Sequence, residues 1–350
     1  MGIFPFSQKC VGIDIGTSAI KILELSSFGG KVKLENFGII FASSFLNLPY
    51  RTSEKNILSL PVERIVEGIE AVFEEAGMNA KQSFFSVPDF ASFFTYFELP
   101  PMPKEELSFA IKAETRRHVP LPLSEVSVDW RILNPKTYTR EPAKIVAIAI
   151  PNETLNQFEI LSAASKIKIL GLEPEVFSLA RVFGKEPGVF GLLDIGAKTT
   201  SCSIIENGIV RASFTLDIAG ETLTERLAKG LGISFEEAEN LKRQFGITNQ
   251  KEEVRKVILP FINSLIGEAE RIFENFWRKE KKEVEKIILT GGSAKLPGLA
   301  EYFKLCLKKE TEIGDPFKYI SFPPILAQRL KIWGPILSVS VGLALAGLKK

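Results

Sequence analysis

The chain has 350 residues, 45% hydrophobic and 25% charged, with 44 basic against 42 acidic side chains and a net charge of +2. So much apolar material excludes a disordered chain and outgrows one core, so two lobes are expected; the charge balance argues against a nucleic-acid binder, which would carry a basic face. Three scattered cysteines (Cys10, Cys202, Cys306) and a single histidine (His118) exclude a disulfide framework, a zinc site and a Ser-His-Asp triad, and suit a reducing compartment.

Met1 to Phe6 lacks the apolar stretch of a secretory signal, and Phe6 breaks the myristoylation pattern. Val11 to Leu25 alternates around Gly16-Thr17-Ser18 and predicts a hairpin; Lys31 to Ser43 predicts another strand. A helix is expected from Pro61 to Gly77, with Ile65, Ile69, Val72 and Phe73 on its apolar face. Gln82 to Leu99, rich in phenylalanine, reads as two buried strands broken at Val87-Pro88-Asp89, with part of the surface available as an aromatic peptide groove. Helices near Lys104–His118 and Glu153–Lys166 alternate with strands, so 93–173 reads as an α+β unit inserted into a larger α/β chain. His118 is read as a packing or capping residue at a helix end.

The pattern restarts with strands at Phe190–Asp194 and Thr199–Asn207. Helices follow near Glu221–Leu231, Ser234–Phe245 and Glu252–Trp277; Ser234 and Glu237 form a capping box. Arg278 to Glu285 reads as a solvated helix end, and Lys286–Thr290 as a buried strand before a further helix. Ile332 to Leu348 is a 17-residue run without charge. A spanning helix needs about 20 apolar residues, so this is expected to be a buried terminal helix.

Ile13-Asp14-Ile15-Gly16 recurs 180 residues later as Leu193-Asp194-Ile195-Gly196. In each copy a strand delivers an aspartate to a glycine turn. Gly16 is expected at positive φ, with the backbone amides and the Thr17 and Ser18 hydroxyls aimed at one spot and Lys21 close behind. Gly196, Lys198, Thr199 and Thr200 offer the same from the second copy. Facing hairpins of this kind would clamp a polyphosphate, and Asp14 and Asp194 would hold Mg²⁺ through waters. Strand Ile287–Thr290 runs into Gly291-Gly292-Ser293 and then Leu296, where a nucleoside could approach the backbone. Glu239 and Lys242, at i and i+3 on one helix, are either a surface ion pair or a bracket for purine and ribose.

In this order the four elements resemble the nucleotide-binding superfamily of two-lobed actin/Hsp70-like (ribonuclease H-like) folds, which also holds the sugar kinases. Within it the chain is similar to the PilM family of actin-like type IV pilus assembly proteins, relatives of the division protein FtsA. The resemblance rests on Leu99-Pro100-Pro101-Met102-Pro103, Val119-Pro120-Leu121-Pro122, Asp194 to Ser203, Ala219-Gly220-Glu221-Thr222, Ala238-Glu239-Asn240-Leu241-Lys242 and Val341 to Ala346. It implies ATP and Mg²⁺ between two lobes, 1–189 with 321–350 and 190–320. It also implies an inserted SHS2-type 1C subdomain at 93–173, and Gly220 and Glu221 at the nucleotide. The implied partner is the N-terminal cytoplasmic tail of PilN, in a groove beside that subdomain, which would hold this chain at the inner face of the inner membrane. The family's Glu-rich stretch is replaced here by Glu114-Thr115-Arg116-Arg117-His118.

Hydrolysis needs a residue that orients water. Glu173 and Glu175 are the candidates, and slow or absent turnover is the expectation. FtsA-like division proteins add a linker and membrane helix, sugar kinases a sugar pocket, and Hsp70-type chaperones a second domain; none is evident in this sequence.

Overall fold

The computed structural model describes residues 8–42 and 60–348; the N-terminal segment Met1–Phe6 and the far end of the strand predicted to reach Ser43 lie outside them. The first sheet is built on β1 (Gln8–Ile15), β2 (Ala19–Phe28), β3 (Lys31–Phe41), β4 (Gln82–Val87) and β8 (Lys168–Pro174), in the order β3-β2-β1-β4-β8. The second uses β9 (Val189–Ile195), β10 (Thr200–Glu206), β11 (Ile209–Leu216), β12 (Lys286–Thr290) and β13 (Glu310–Ile313), in the order β11-β10-β9-β12-β13. Each pairs an antiparallel meander with two parallel strands, so the sequence repeat is a repeat of topology.

A three-stranded sheet, β5-β7-β6, combines β5 (Phe93–Leu99), β6 (Val126–Ile132) and β7 (Ala143–Pro151). Helix α2 (Lys104–His118) covers it through Leu107 and Ile111, packed with Phe97, Leu99 and Ile145. The end of the predicted 93–173 unit behaves differently. Helix α3 (Asn152–Ser165) buries Phe158 and Leu161 in the first sheet's core beside α1 (Val62–Glu75), and β8 is that sheet's edge strand. Their apolar faces find the larger core, whereas β5, β6, β7 and α2 make their own.

Two helices lie between the five-stranded sheets. These are α4 (Glu175–Phe183) and α9 (Ala327–Gly347), and one hydrophobic core runs from Leu23 and Leu25 through Leu179, Phe183, Leu337 and Leu343 to Phe190 and Ile288. The uncharged run near the C-terminus is therefore a core helix. It is long and apolar enough to cross a membrane, but 67% of its apolar window is buried. Pro335 inside α9 cannot donate to Lys331, and that carbonyl instead accepts from Lys295 Nζ at 3.1 Å. Helices α5 (Gly220–Leu231), α6 (Phe235–Phe245), α7 (Glu252–Glu280) and α8 (Leu299–Leu307) flank the second sheet; Ser234 and Glu237 make the capping box that starts α6. Phe84 and Phe85 are core residues and cannot line a groove, while Phe90 is 42% exposed and Phe109 on α2 79%.

Candidate functional site

The two hairpin turns match atom for atom. Gly16 N–H donates to Ala19 O and Gly196 N–H to Thr199 O, both at 3.0 Å. Neither glycine has positive φ, contrary to the expectation for Gly16. Space is the reason for glycine: a Cβ on Gly16 would lie 2.5 Å from Lys21 Nζ, and one on Gly196 2.9 Å from Thr199 O. Gly291 does need positive φ (+88°), and its missing Cβ makes room for Asp194 and Ile195 of this chain rather than for a nucleoside. A Cβ on Gly292 would meet nothing.

The turns open onto one cleft of about 360 Å³, between the two five-stranded sheets. Asp14, Gly16, Thr17, Ser18 and Lys21 line one side. Asp194, Gly196, Lys198, Thr199, Gly220 and Glu221 line the other, with Glu239, Lys242, Gly291, Gly292, Ser293 and Leu296 beyond them. Thr200 is the exception. It is fully buried, and its hydroxyl donates to Ile218 O at 2.6 Å, because the alternation of β10 turns it away. Gly220 and Glu221 spend their amides on the hairpin carbonyls of Gly196 and Ala197, at 3.0 and 2.8 Å. The N-terminus of α5 therefore fixes the turn.

Lys242 is 5% exposed, and its three protons are all placed: Gly220 O at 2.9 Å, Thr224 Oγ1 at 2.7 Å and Glu239 Oε2 at 2.7 Å. Burial pulls its pKa down against the attraction of Glu239. This is a buried pin between α5 and α6, not a surface ion pair.

Asp14, Glu175 and Asp194 line the cleft and act on the Lys21 ammonium, and Asp89 is buried next to Glu175. Asp14 accepts from Lys21 Nζ and Ser86 Oγ, both at 2.8 Å. Burial disfavours the Lys21 ammonium, but Asp14 outweighs it and holds the pKa above the usual lysine value. Burial pushes Asp194 up to about 7, with Lys21 opposing and Asp14 and Asp89 adding to the rise. Asp89, which the sequence marked only as a strand break, rises to about 6, again chiefly through burial. Its Oδ1 accepts from Val176 N–H at 3.1 Å, its own N–H donates to Glu175 Oε2 at 3.2 Å, and a hydrogen bond from the Ser201 side chain opposes the rise. Glu175 is held well above the carboxylate range by burial and then by Asp89, Asp14 and Asp194.

The structure separates the two candidate glutamates. Glu173 accepts from Ser178 Oγ at 2.6 Å and from Arg181 at 2.5 and 2.8 Å, outside the cleft, whereas Glu175 lines it. The excess of buried oxygen donors over cations suits a hard divalent ion. No three His, Cys, Asp or Glu among the described residues converge closely enough to hold a metal.

A family model described as type IV pilus assembly protein PilM matches residues 12–348. The chain belongs to the PilM family. A PilM–PilN type IV pilus biogenesis complex superimposes with a TM-score of 0.84 at 24% identity, covering 97% of this chain and 99% of that one. The ethanolamine utilization protein EutJ from Carboxydothermus hydrogenoformans gives 0.57 at 20% identity over 97% and 89%. MreB 5 of Spiroplasma citri, bound to AMPPNP, gives 0.53 at 14% over 97% and 95%. These likenesses establish an actin-like fold. Among curated sequences, Bacillus subtilis (strain 168) FtsA is 26% identical over 150 residues, 36% of this chain and 33% of FtsA. Escherichia coli (strain K12) EutJ is 32% identical over 114 residues, 33% of this chain and 37% of EutJ. The matches to this PilM family member thus span about a third of the curated relatives' length.

Proposed function

We propose that this PilM family member is an ATP-binding scaffold of type IV pilus assembly, with lobes 1–189 plus 321–350 and 190–320 closing on one Mg-ATP. The observation that carries the reading is the pair of equivalent hairpins, with Asp14, Lys21 and Asp194 on a single cleft. Backbone turns and hydroxyls of Thr17, Ser18 and Thr199 would take phosphate oxygens, aided by Lys21 and Lys198. Asp14 and Asp194 would hold Mg²⁺ through waters, and the ion would neutralise the phosphate charge. Glu175, which lines the cleft, would be the residue to orient a water, since Glu173 is committed to Arg181. Burial and the neighbouring carboxylates favour the neutral, protonated form of Glu175, which cannot take a proton from water, and this favours a slow or silent ATPase.

The partner in this reading is the N-terminal tail of PilN, docked beside the β5-β7-β6 unit and α2, where Phe90 and Phe109 are exposed. That tail would keep the chain at the inner face of the inner membrane. Thermal unfolding tests the nucleotide half. Mg-ATP at 100 times its Kd adds about 2.7 kcal/mol and raises Tm. No shift in the wild type, or a shift that survives Asp14→Ala/Asp194→Ala, refutes it. Calorimetry with a synthetic PilN tail tests the other half: near-micromolar binding is expected, and silence at high peptide concentration refutes the scaffold.

A further inference from the structure

The inserted unit of β5, β6, β7 and α2 is attached to the rest of the molecule in two ways. Its chain enters from β4 and leaves through α3 into β8, so both covalent roots lie in the first sheet. Its other attachment comes from the alternation of β5. Phe97 and Leu99 face the unit's own core under α2, and Phe94 and Tyr96 point the opposite way. The Phe94 ring centre lies 6.0 Å from that of Phe177 on α4 and joins the core between the sheets. The Tyr96 ring lies against the guanidinium of Arg211 on β11, 4.4 Å from the ring centre, so the unit rests on the second sheet. Arg211 is a fixed platform for it. Its side chain is buried, held by Glu206 and by Glu280 at 2.6 Å, with the ring of Phe276 on α7 5.9 Å away. The Tyr96 hydroxyl donates to Glu98 Oε1 at 3.2 Å, which leaves the ring face to the cation. The turn from β4 to β5 spans the same gap. Its Pro88 and Phe90 line the cleft, and Asp89 meets Glu175 and Val176 on one side and Ser201 of β10 on the other.

We infer that the inserted unit is a brace between the two sheets, rooted in the first and resting on the second through Tyr96 and Arg211. The sheets cannot part without either carrying the unit along or breaking that stack. One cation–aromatic stack is worth a factor of about 2–30 in an equilibrium, enough to bias where the unit sits and too little to weld it there. A ligand that draws the walls of the cleft together therefore favours the docked unit, and by linkage the docked unit favours that ligand. The brace stands on these contacts alone; that a nucleotide is the ligand which works it rests on the reading above.

Spin-label distances in the full chain test the brace. Cys306 is exposed on α8, Cys10 and Cys202 are buried, and Arg131→Cys adds an exposed label site on β6. The labelled parent should give one narrow distance distribution, and Tyr96→Phe should keep it, because the ring face remains. Tyr96→Ala should add a second distance, with the ratio of docked to undocked unit falling by about 2–30-fold. Mg-ATP should return Tyr96→Ala to the single distance. An unchanged distribution in Tyr96→Ala, or a Tyr96→Phe as broad as Tyr96→Ala, overturns the brace. Mg-ATP that binds by calorimetry yet leaves the second distance in place overturns the coupling to the cleft. Mg-ATP that does not bind at all removes the nucleotide reading, and the distances in the free protein still decide the brace.

Discussion

The two hairpins share a turn, a register and an aspartate, yet they differ in one residue that changes their electrostatics. Lys21 faces Asp14 across the first ladder, and 180 residues later Ser201 faces Asp194 across the second. The first hairpin therefore carries its own counter-ion at 2.8 Å. The second leaves its carboxylate to burial, and Asp194 rises to about 7. A duplicated backbone with the aspartate paired to a lysine in only one copy makes an asymmetric clamp. One side is neutralised in advance, and the other is completed by what enters the cleft.

Lys21→Met breaks that comparison most severely. It strands Asp14 beside three other carboxylates, and removing one partner of a buried pair costs roughly 3–5 kcal/mol; chemical denaturation of the free protein should show that loss. Ser201→Ala, at the equivalent position, removes only a neutral hydroxyl that hydrogen-bonds Asp89 and should cost less, roughly 1–3 kcal/mol, in the same assay. Equal losses would mean that the hairpins are not electrostatically distinct. Gly291→Ala comes next. Its φ of +88° and the contact with Asp194 both oppose a methyl, so a loss of about 2 kcal/mol is expected, whereas Gly292→Ala should be near neutral because that site is open.

The last test is pH dependence. Asp194 and Asp89 titrate at about 7 and about 6 when folded, above the unfolded value near 4. The folded state therefore binds more protons through that window, and stability falls as pH rises across it. The Tm of the free protein should decline between pH 5 and pH 8, and less steeply in Asp194→Asn. A rising Tm would contradict the burial of these acids.

Much of this was legible in the sequence because it is local. A strand, an aspartate and a glycine within four residues announce each hairpin, and the offset between copies announces the second sheet. The actin-like fold and the PilM family follow from those motifs and the Pro-Met-Pro segment, and the comparisons agree. What depended on distant contacts was not legible. Asp89 meets Glu175 86 residues away, and nothing in a Val-Pro-Asp turn signals that. Choosing between Glu173 and Glu175 needed the position of Arg181, and Thr200 was miscast because strand alternation, not nearness to the turn, decides which way it points. Helix α3 and β8 read as part of the insertion because sequence order hides which core buries a face.

The central claim is that both aspartates act on one ligand. Titration calorimetry of Mg-ATP into the wild type, Asp14→Asn, Asp194→Asn and the double variant tests it directly. The account predicts one site per chain, a large loss of affinity in each single variant, and a double variant scarcely worse than either, because the residues form one unit. Additive losses, or a single variant that keeps wild-type affinity, would contradict it.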